Sequence, residues 1–270
     1  MDIPASYPSL PLWMITLCFL IALLVAREVG AAVSRWQHRK RTRHGHVEPP
    51  AEDDKDRDAF AMTSVLGLLA LLIGFTFSLS LGRYDERRQL VVHEANALGT
   101  TWLRTDLLEA GDRARMQEVL RRYVDARVDF ANAKTADEEV QQNARTVALQ
   151  NELWRVLVDG TQAFRDTPRA SLLFTTTNES IDLAAERFAA RQDHIPPRIL
   201  RMLLLFAMLA AALVGYERPH QRRSTVLLLV LLTLAVGLIL DLDRASTGLT
   251  HVPQEPMLDL QRSLRVEGSP

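Results

Sequence analysis

Two charged clusters stand where long apolar runs end. Arg83-Tyr84-Asp85-Glu86-Arg87-Arg88 follows the run 59–82, and Asp241-Leu242-Asp243-Arg244 closes the run 224–240. A ring of such charges at a pore mouth selects ions. The same residues also serve as interfacial anchors, with Asp85 and Arg88 spaced to pair along a helix and Arg83 and Arg87 spaced to repel. Acids at a membrane boundary need a partner or water, so Arg244 is expected to pair locally with Asp241 or Asp243. Ile73, Phe77 and Leu81 precede the first cluster at i, i+4 and i+8, on one stripe of a helix face. In a symmetric ring such stripes meet at the axis and form an apolar constriction that gates by dewetting. Arg87 and Arg88, one to two turns further on, then supply a positive field that favours anions. The competing account of the stripe is ordinary bundle packing.

Other reactive residue types carry less. The sequence holds no GxSxG, no phosphate-cradling glycine loop, no HExxH and no GxGxxG. Gly67 and Gly74 lie inside an apolar run and cannot form a phosphate loop. Asp137, Glu138 and Glu139 sit at a helix start, where acids complement the helix dipole. His38, His44 and His46 stand among cations that repel a dication, so a solvated segment is expected there and not a metal site. The one cysteine, Cys18, excludes an intramolecular disulfide. Aromatic residues make 6% of the chain and do not interleave with basic ones, which argues against nucleic acid. The expectation is a protein that is not an enzyme, with no cofactor and no metal.

The elements that position these residues are four apolar runs, 10–26, 59–82, 199–216 and 224–240. Each is long enough, or nearly so, to cross a hydrocarbon core needing about 20 apolar residues as helix. The leader Met1–Leu10 has no Lys or Arg and no small-x-small site follows it, so the first run reads as a span and not a cleaved signal peptide. Residues 27–58 open basic, with Arg35, Arg39, Lys40, Arg41 and Arg43, and turn acidic after Pro49-Pro50. That basic cluster serves topology or contacts anionic lipid. The second run carries Thr63, Ser64, Gly67, Gly74, Thr76, Ser78 and Ser80, which let helices approach closely, so it is expected to be the inner helix of the bundle. The fourth, rich in leucine, is expected to face lipid.

Residues 83–198 hold 17 Lys or Arg against 19 Asp or Glu, the balance of a salt-bridged helical surface. The second span is expected to continue past Tyr84 into a helix with Val91, Ala95, Leu98 and Trp102 on one face. Gly111-Asp112 is expected to break it, with Asp112 capping a helix whose stripe is Met116, Leu120, Tyr123 and Val124. Thr135 and Glu138 fit a capping box. After it Val140, Ala144, Val147, Asn151, Trp154, Val158 and Thr161 alternate steps of four and three, a coiled-coil seam. Thr167-Pro168 opens the next helix, with Leu173, Thr177, Ile181, Ala184 and Phe188 as its stripe, and Pro196-Pro197 ends it. No stretch alternates with strand period. The fold class is therefore all-α: a polytopic membrane protein with a helical, coiled-coil insert. Its divisions are 1–82, a membrane helix pair; 83–198, the insert; 199–244, a transmembrane hairpin; and 245–270, a tail. Both termini fall on one side. Eight Lys or Arg in 27–58 and three in 217–223 put those loops in the cytoplasm and the insert outside.

Four stretches resemble the bestrophin-like membrane proteins of bacteria: GFTFSLSLGRYDERRQLVVHEANALGT at 74–100, LRRYVDAR at 120–127, DHIPPRIL at 193–200 and LDLDRASTGLTHVPQEPM at 240–257. The resemblance runs from about Ala59 to Met257. Bestrophins are pentameric anion channels whose second transmembrane helix lines a hydrophobic neck, followed by a charged stretch with tyrosine. The resemblance thus implies a homo-oligomer in the inner membrane that passes anions along its second helix. Tyr84-Asp85 matches that pattern, whereas Glu86-Arg87-Arg88 lacks the aromatic pair of bacterial bestrophins. Bestrophins also keep the insert in the cytoplasm, opposite to the charge count above. The alternative is a non-conducting scaffold or sensor that meets partners through its insert.

Overall fold

The computed structural model describes residues 11–43, 52–244 and 248–266, and every regular element among them is helical. His44, His46, the Pro49-Pro50 turn and the leader Met1–Leu10 lie outside the described residues. The helices are α1 (Leu12–Arg43), α2 (Glu52–Arg104), α3 (Ala110–Asn132), α4 (Ala136–Gly160), α5 (Pro168–Gln192), α6 (Pro197–Glu217), α7 (Arg222–Asp243) and α8 (Glu255–Val266). Four helices are long and apolar enough to cross a membrane, and they carry the four apolar runs. The chain divides into two units, residues 1–81 with 195–243, and residues 82–194 with 244–270.

In the first unit α1 packs chiefly on α6 and then on α7. Two glycines make the α1–α6 approach. A Cβ on Gly30 would stand 1.9 Å from the Ala212 carbonyl oxygen, and one on Gly215 would stand 2.0 Å from that of Arg27. Backbone meets backbone there, as small residues permit where lipid supplies no hydrophobic drive between helices. Leu23, Leu203, Ala207, Leu229 and Val236 fill the core around this crossing. The chain enters α6 through Ile195, whose N–H donates to Asp243 Oδ1 at 2.9 Å. That bond answers one question about the second charged cluster: Asp243, buried, satisfies a backbone donor at the proline break.

The second unit is built as its stripes direct. Val91, Ala95, Leu98 and Trp102 of α2 and Met116, Leu120, Tyr123 and Val124 of α3 are all buried in one core. Thr135 Oγ1 accepts from the Glu138 N–H at 3.2 Å while Glu138 accepts from the Thr135 N–H at 3.2 Å, completing the capping box. Thr167 caps α5 ahead of Pro168. The tail helix α8 lies on α3, burying Met257 and Leu264, with Gln261 Nε2 donating to Asp125 Oδ1 at 2.6 Å.

Two local expectations shift. Asp112 sits inside the first turn of α3 and Glu109 holds the cap position without a side-chain bond. The break falls earlier because the Thr105 hydroxyl donates to the Trp102 carbonyl and the chain tightens into a 3₁₀ turn at 105–107. In α4 the face turned inward is Thr146, Leu149, Leu153 and Leu157, whereas Val140, Val147, Asn151 and Trp154 are exposed. The helix has two apolar stripes, and the leucine stripe is the one that α3 covers.

Candidate functional site

The second span is half in the bundle and half out of it. At about 100° per residue, Leu69, Thr76 and Ser80 share one face. All three are buried, and Ser80 Oγ donates to the Ile239 carbonyl of α7 at 2.8 Å. The opposite face carries Ser64, Gly67, Leu68, Leu71, Gly74, Phe75 and Ser78, all exposed. Nothing lies within 4 Å of where a Cβ would stand on Gly67, Gly74 or Gly82. Within one chain the second span is thus open, as the first is, and the fourth is the most covered: 17% of the apolar window of α2 is buried, the same as in α1, against 39% of that of α7. The hydroxyls of Thr76 and Ser80 serve the chain's own bundle, while the glycines stay clear of it. In α7, Thr233 and Gly237 fit against neighbours, with Thr16 Cγ2 at 3.1 Å from where a Cβ of Gly237 would be.

Ile73, Phe77 and Leu81 run along the flank between these two faces. Ile73 packs against the core of its own unit, Phe77 is half-buried, and Leu81 is exposed. The single chain brings the three into line along one flank of α2, with exposure rising toward Leu81.

Beyond the span, α2 enters the second unit, and the two arginines of interest part company. Arg87 is buried; its Nε donates to the Ala190 carbonyl at 2.9 Å and its Nη2 to the Asp193 carbonyl at 2.6 Å. These oxygens lie at the C-terminal end of α5, where carbonyls lack helical partners and a cation meets the negative end of the dipole. Arg83 joins it with an ion pair to Asp193 at 2.7 Å. Arg88 is exposed and lies on the flank that bears Phe77 and Leu81. Among the described residues no ion pair joins Asp85 to Arg88, and both side chains are exposed.

A buried ion network that the apolar stripes do not announce sits about two turns further along α2. Glu94, Arg127 and Arg187 are all buried, from α2, α3 and α5. Arg127 Nε reaches Glu94 Oε1 at 2.5 Å and Arg187 pairs with Glu94 Oε2. Arg187 Nη2 also donates to Gln254 Oε1 at 3.1 Å. Glu94 lies well past the apolar run that ends at Gly82. Burial raises its pKa, but the two guanidiniums outweigh that and hold the carboxyl below the usual carboxylate range. One anion between two cations leaves an excess positive charge. The Phe130 ring meets part of it, lying 4.6 Å from the Arg127 guanidinium and 4.9 Å from that of Arg191. Burial also pushes the neighbouring Tyr123 phenol up to about 12. The signal was present in the sequence: each of these charges sits on the inward stripe of its own helix.

Three of the four resembling stretches meet in this network, through Glu94, Arg127 and Gln254, and the fourth holds Arg83 and Arg87 through Asp193. The model of the Bestrophin-like domain matches residues 29–257. The chain is similar to a solved bacterial bestrophin homologue from Klebsiella pneumoniae bearing a tyrosine-to-alanine mutation, with a TM-score of 0.65 at 14% identity over 91% of this chain and 97% of that one. A second structure of the Klebsiella homologue, with a leucine-to-threonine mutation, gives a TM-score of 0.63 at 14% identity over 93% and 99% of the two chains. At such identity the likeness shows the fold. No curated protein matches the sequence. With the domain model covering most of its length, the insert and three of its four membrane helices included, the chain belongs to the Bestrophin-like domain family.

Proposed function

We propose that the protein is an oligomeric channel of the inner membrane that passes anions through a pore lined by α2, and that it is not an enzyme. The observation that carries this reading is the open face of α2. A helix face that is apolar, carries glycine and serine, and is left exposed by its own chain is suited to meet copies of itself around an axis. In such a ring Ile73, Phe77 and Leu81 form the apolar neck, and widening or wetting it gates the ion path. Arg88, exposed at the end of the stripe, supplies the positive mouth. Arg87 contributes by holding the end of α5, which fixes the helix on which Arg88 stands.

The test is selectivity. Purified protein in a planar bilayer under a potassium chloride gradient is expected to show a reversal potential displaced toward that of chloride. Arg88→Glu is expected to move it toward that of potassium, because the charge facing the ion path changes sign. A reversal potential unchanged by Arg88→Glu removes the residue from the pore mouth. A second reading, a scaffold that binds partners without conducting, draws on the exposed stripe Val140, Val147 and Trp154 of α4. Absence of current from a stable oligomer favours that reading.

A further inference from the structure

One carboxylate gathers three guanidiniums where α1 passes the start of α7. Glu28 Oε1 lies 2.6 Å from Arg27 Nη1 and 3.3 Å from Arg222 Nε, and its Oε2 lies 4.0 Å from Arg35 Nη2. Three cations against one anion leave a net charge of +2 (3 − 1 = 2). The cations differ in setting. Arg27 is buried at the end of the first apolar run; its Nε donates to Thr225 Oγ1 at 3.0 Å, and its Nη2 makes no hydrogen bond. Arg35 and Arg222 have side chains 58% and 73% exposed, and among the described residues Arg35 spends only its Nε on a backbone acceptor, the Ala31 carbonyl at 3.1 Å.

An apolar stripe runs beside this cluster. Leu17, Ile21, Val25, Val29 and Trp36 follow one another at helical spacing along α1, all about half exposed or more. The stripe continues past Glu28 as far as Trp36, over whose ring Lys40 Nζ sits at 3.8 Å. By helical rotation Glu28 and Arg35 fall between this stripe and the buried side that carries Arg27, Ala31 and Ser34.

We infer that Arg27, Glu28, Arg35 and Arg222 form a binding site for the phosphate of an anionic phospholipid. Two of the guanidiniums have free donors that match phosphate geometry. Arg27, anchored on Thr225, keeps Glu28 in place, and Glu28 keeps the exposed pair together when no phosphate is bound. The stripe from Val25 to Trp36 gives the acyl chains a path alongside, with a tryptophan and a lysine at headgroup level. Topology control alone needs only a surplus of cations in the loop. It needs neither a buried arginine tied to a threonine nor a carboxylate that draws three arginines to one point. A free phosphate ion shares the chemistry of the headgroup, but it makes no use of the stripe. The site stands whether or not the protein conducts.

Trp36 is the reporter. The full chain is placed in nanodiscs of phosphatidylcholine with a minor fraction of brominated phosphatidylglycerol, and the quenching of Trp36 is taken as the difference between wild type and Trp36→Phe. A parallel sample carries brominated phosphatidylcholine at the same fraction. Brominated phosphatidylglycerol is expected to quench Trp36 at least about three-fold more than its zwitterionic counterpart, since each arginine near a membrane surface attracts an anionic lipid appreciably. In Arg35→Gln/Arg222→Gln the two lipids are expected to quench alike. Inorganic phosphate at millimolar concentration is expected to leave the preference intact. Equal quenching in wild type overturns the inference, as does a preference that survives the double substitution. Loss of the preference on adding phosphate overturns the lipid assignment and leaves a site for the free ion. Arg35→Gln alone, at an exposed position, decides the same question if the double variant does not assemble.

Discussion

The two units of the chain solve the same problem to different degrees. In the insert unit a carboxylate, Glu94, is closed off between Arg127 and Arg187, and the apolar stripes of α2, α3 and α5 all find partners. In the membrane unit a carboxylate, Glu28, is shared among three arginines but remains 43% exposed, and the face of α2 from Ser64 to Ser78 is exposed among the described residues. The insert unit is thus a finished core, apart from the outward stripe on α4. The membrane unit packs most closely where α1, α6 and α7 cross, and it leaves polar and apolar surfaces exposed. Burial decides what each network does. A closed ion network holds helices in register, because removing one partner strands the others without water. An open one keeps donors available.

The sharpest break in this comparison is at Glu94. Glu94→Gln removes the anion and leaves two guanidiniums facing a neutral amide in a dry core, which costs about 3–5 kcal/mol. Thermal melting of the purified protein should show the insert lost first. Glu28→Gln, the same change in the open network, is expected to cost less than Glu94→Gln, because Arg35 and Arg222 stay in water and only Arg27 is left buried beside a neutral amide. Equal effects at the two sites refute the distinction.

Glycine substitutions sharpen the contrast within the membrane unit. Gly30→Ala places a methyl against the Ala212 carbonyl and is expected to cost about 1–3 kcal/mol or more, read as lower yield and melting temperature. Gly74→Ala meets open space in the single chain. If α2 stands alone in lipid, that substitution is neutral or mildly favourable, by up to about 1 kcal/mol of helix propensity. If α2 packs on other copies, Gly74→Ala weakens the oligomer while each chain stays folded, and cross-linking separates the two outcomes.

Acid tests the closed network without mutation. The folded pKa of Glu94 lies below its unfolded value, so its contribution is present above the unfolded pKa and is lost as pH falls through the folded one. Unfolding of the insert should therefore set in on the acid side of the ordinary carboxylate range, and Glu94→Gln should flatten that profile. At the alkaline end Tyr123 acts oppositely. Its pKa is raised to about 12, so stability falls as pH rises from the unfolded phenol's value of 10.0 toward about 12.

The smallest effect is local. Thr135→Ala removes the capping box of α4 and is expected to cost about 1 kcal/mol.

Much of the insert was legible in the sequence because its signals are local. The Thr135 box, the Thr167-Pro168 start and the stripe of α3 each depend on residues within a few positions, and the structure has them all. The inward face of α4 was not legible, since periodicity reveals two apolar stripes and cannot say which one a distant helix will cover. The burial of Arg87 was hidden for the same reason: its acceptors at Ala190 and Asp193 are remote in sequence. The openness of α2 follows from what one chain lacks. Small residues announce a close approach, but they do not say whether the partner belongs to the same chain.

That last point is the centre of the account, and current through the reconstituted protein tests it most directly. Phe77 sits on the flank of the open face, where a ring of copies would narrow the ion path. Wild type and Phe77→Ala are to be purified, checked for oligomeric state, and placed in the same bilayer. The channel account predicts stable oligomers of both and a larger anion current for Phe77→Ala, because truncation widens and wets the neck. Ordinary core packing instead predicts a loss of about 3–5 kcal/mol and no current. Stable oligomers of both proteins that pass no current at any voltage would contradict the channel reading.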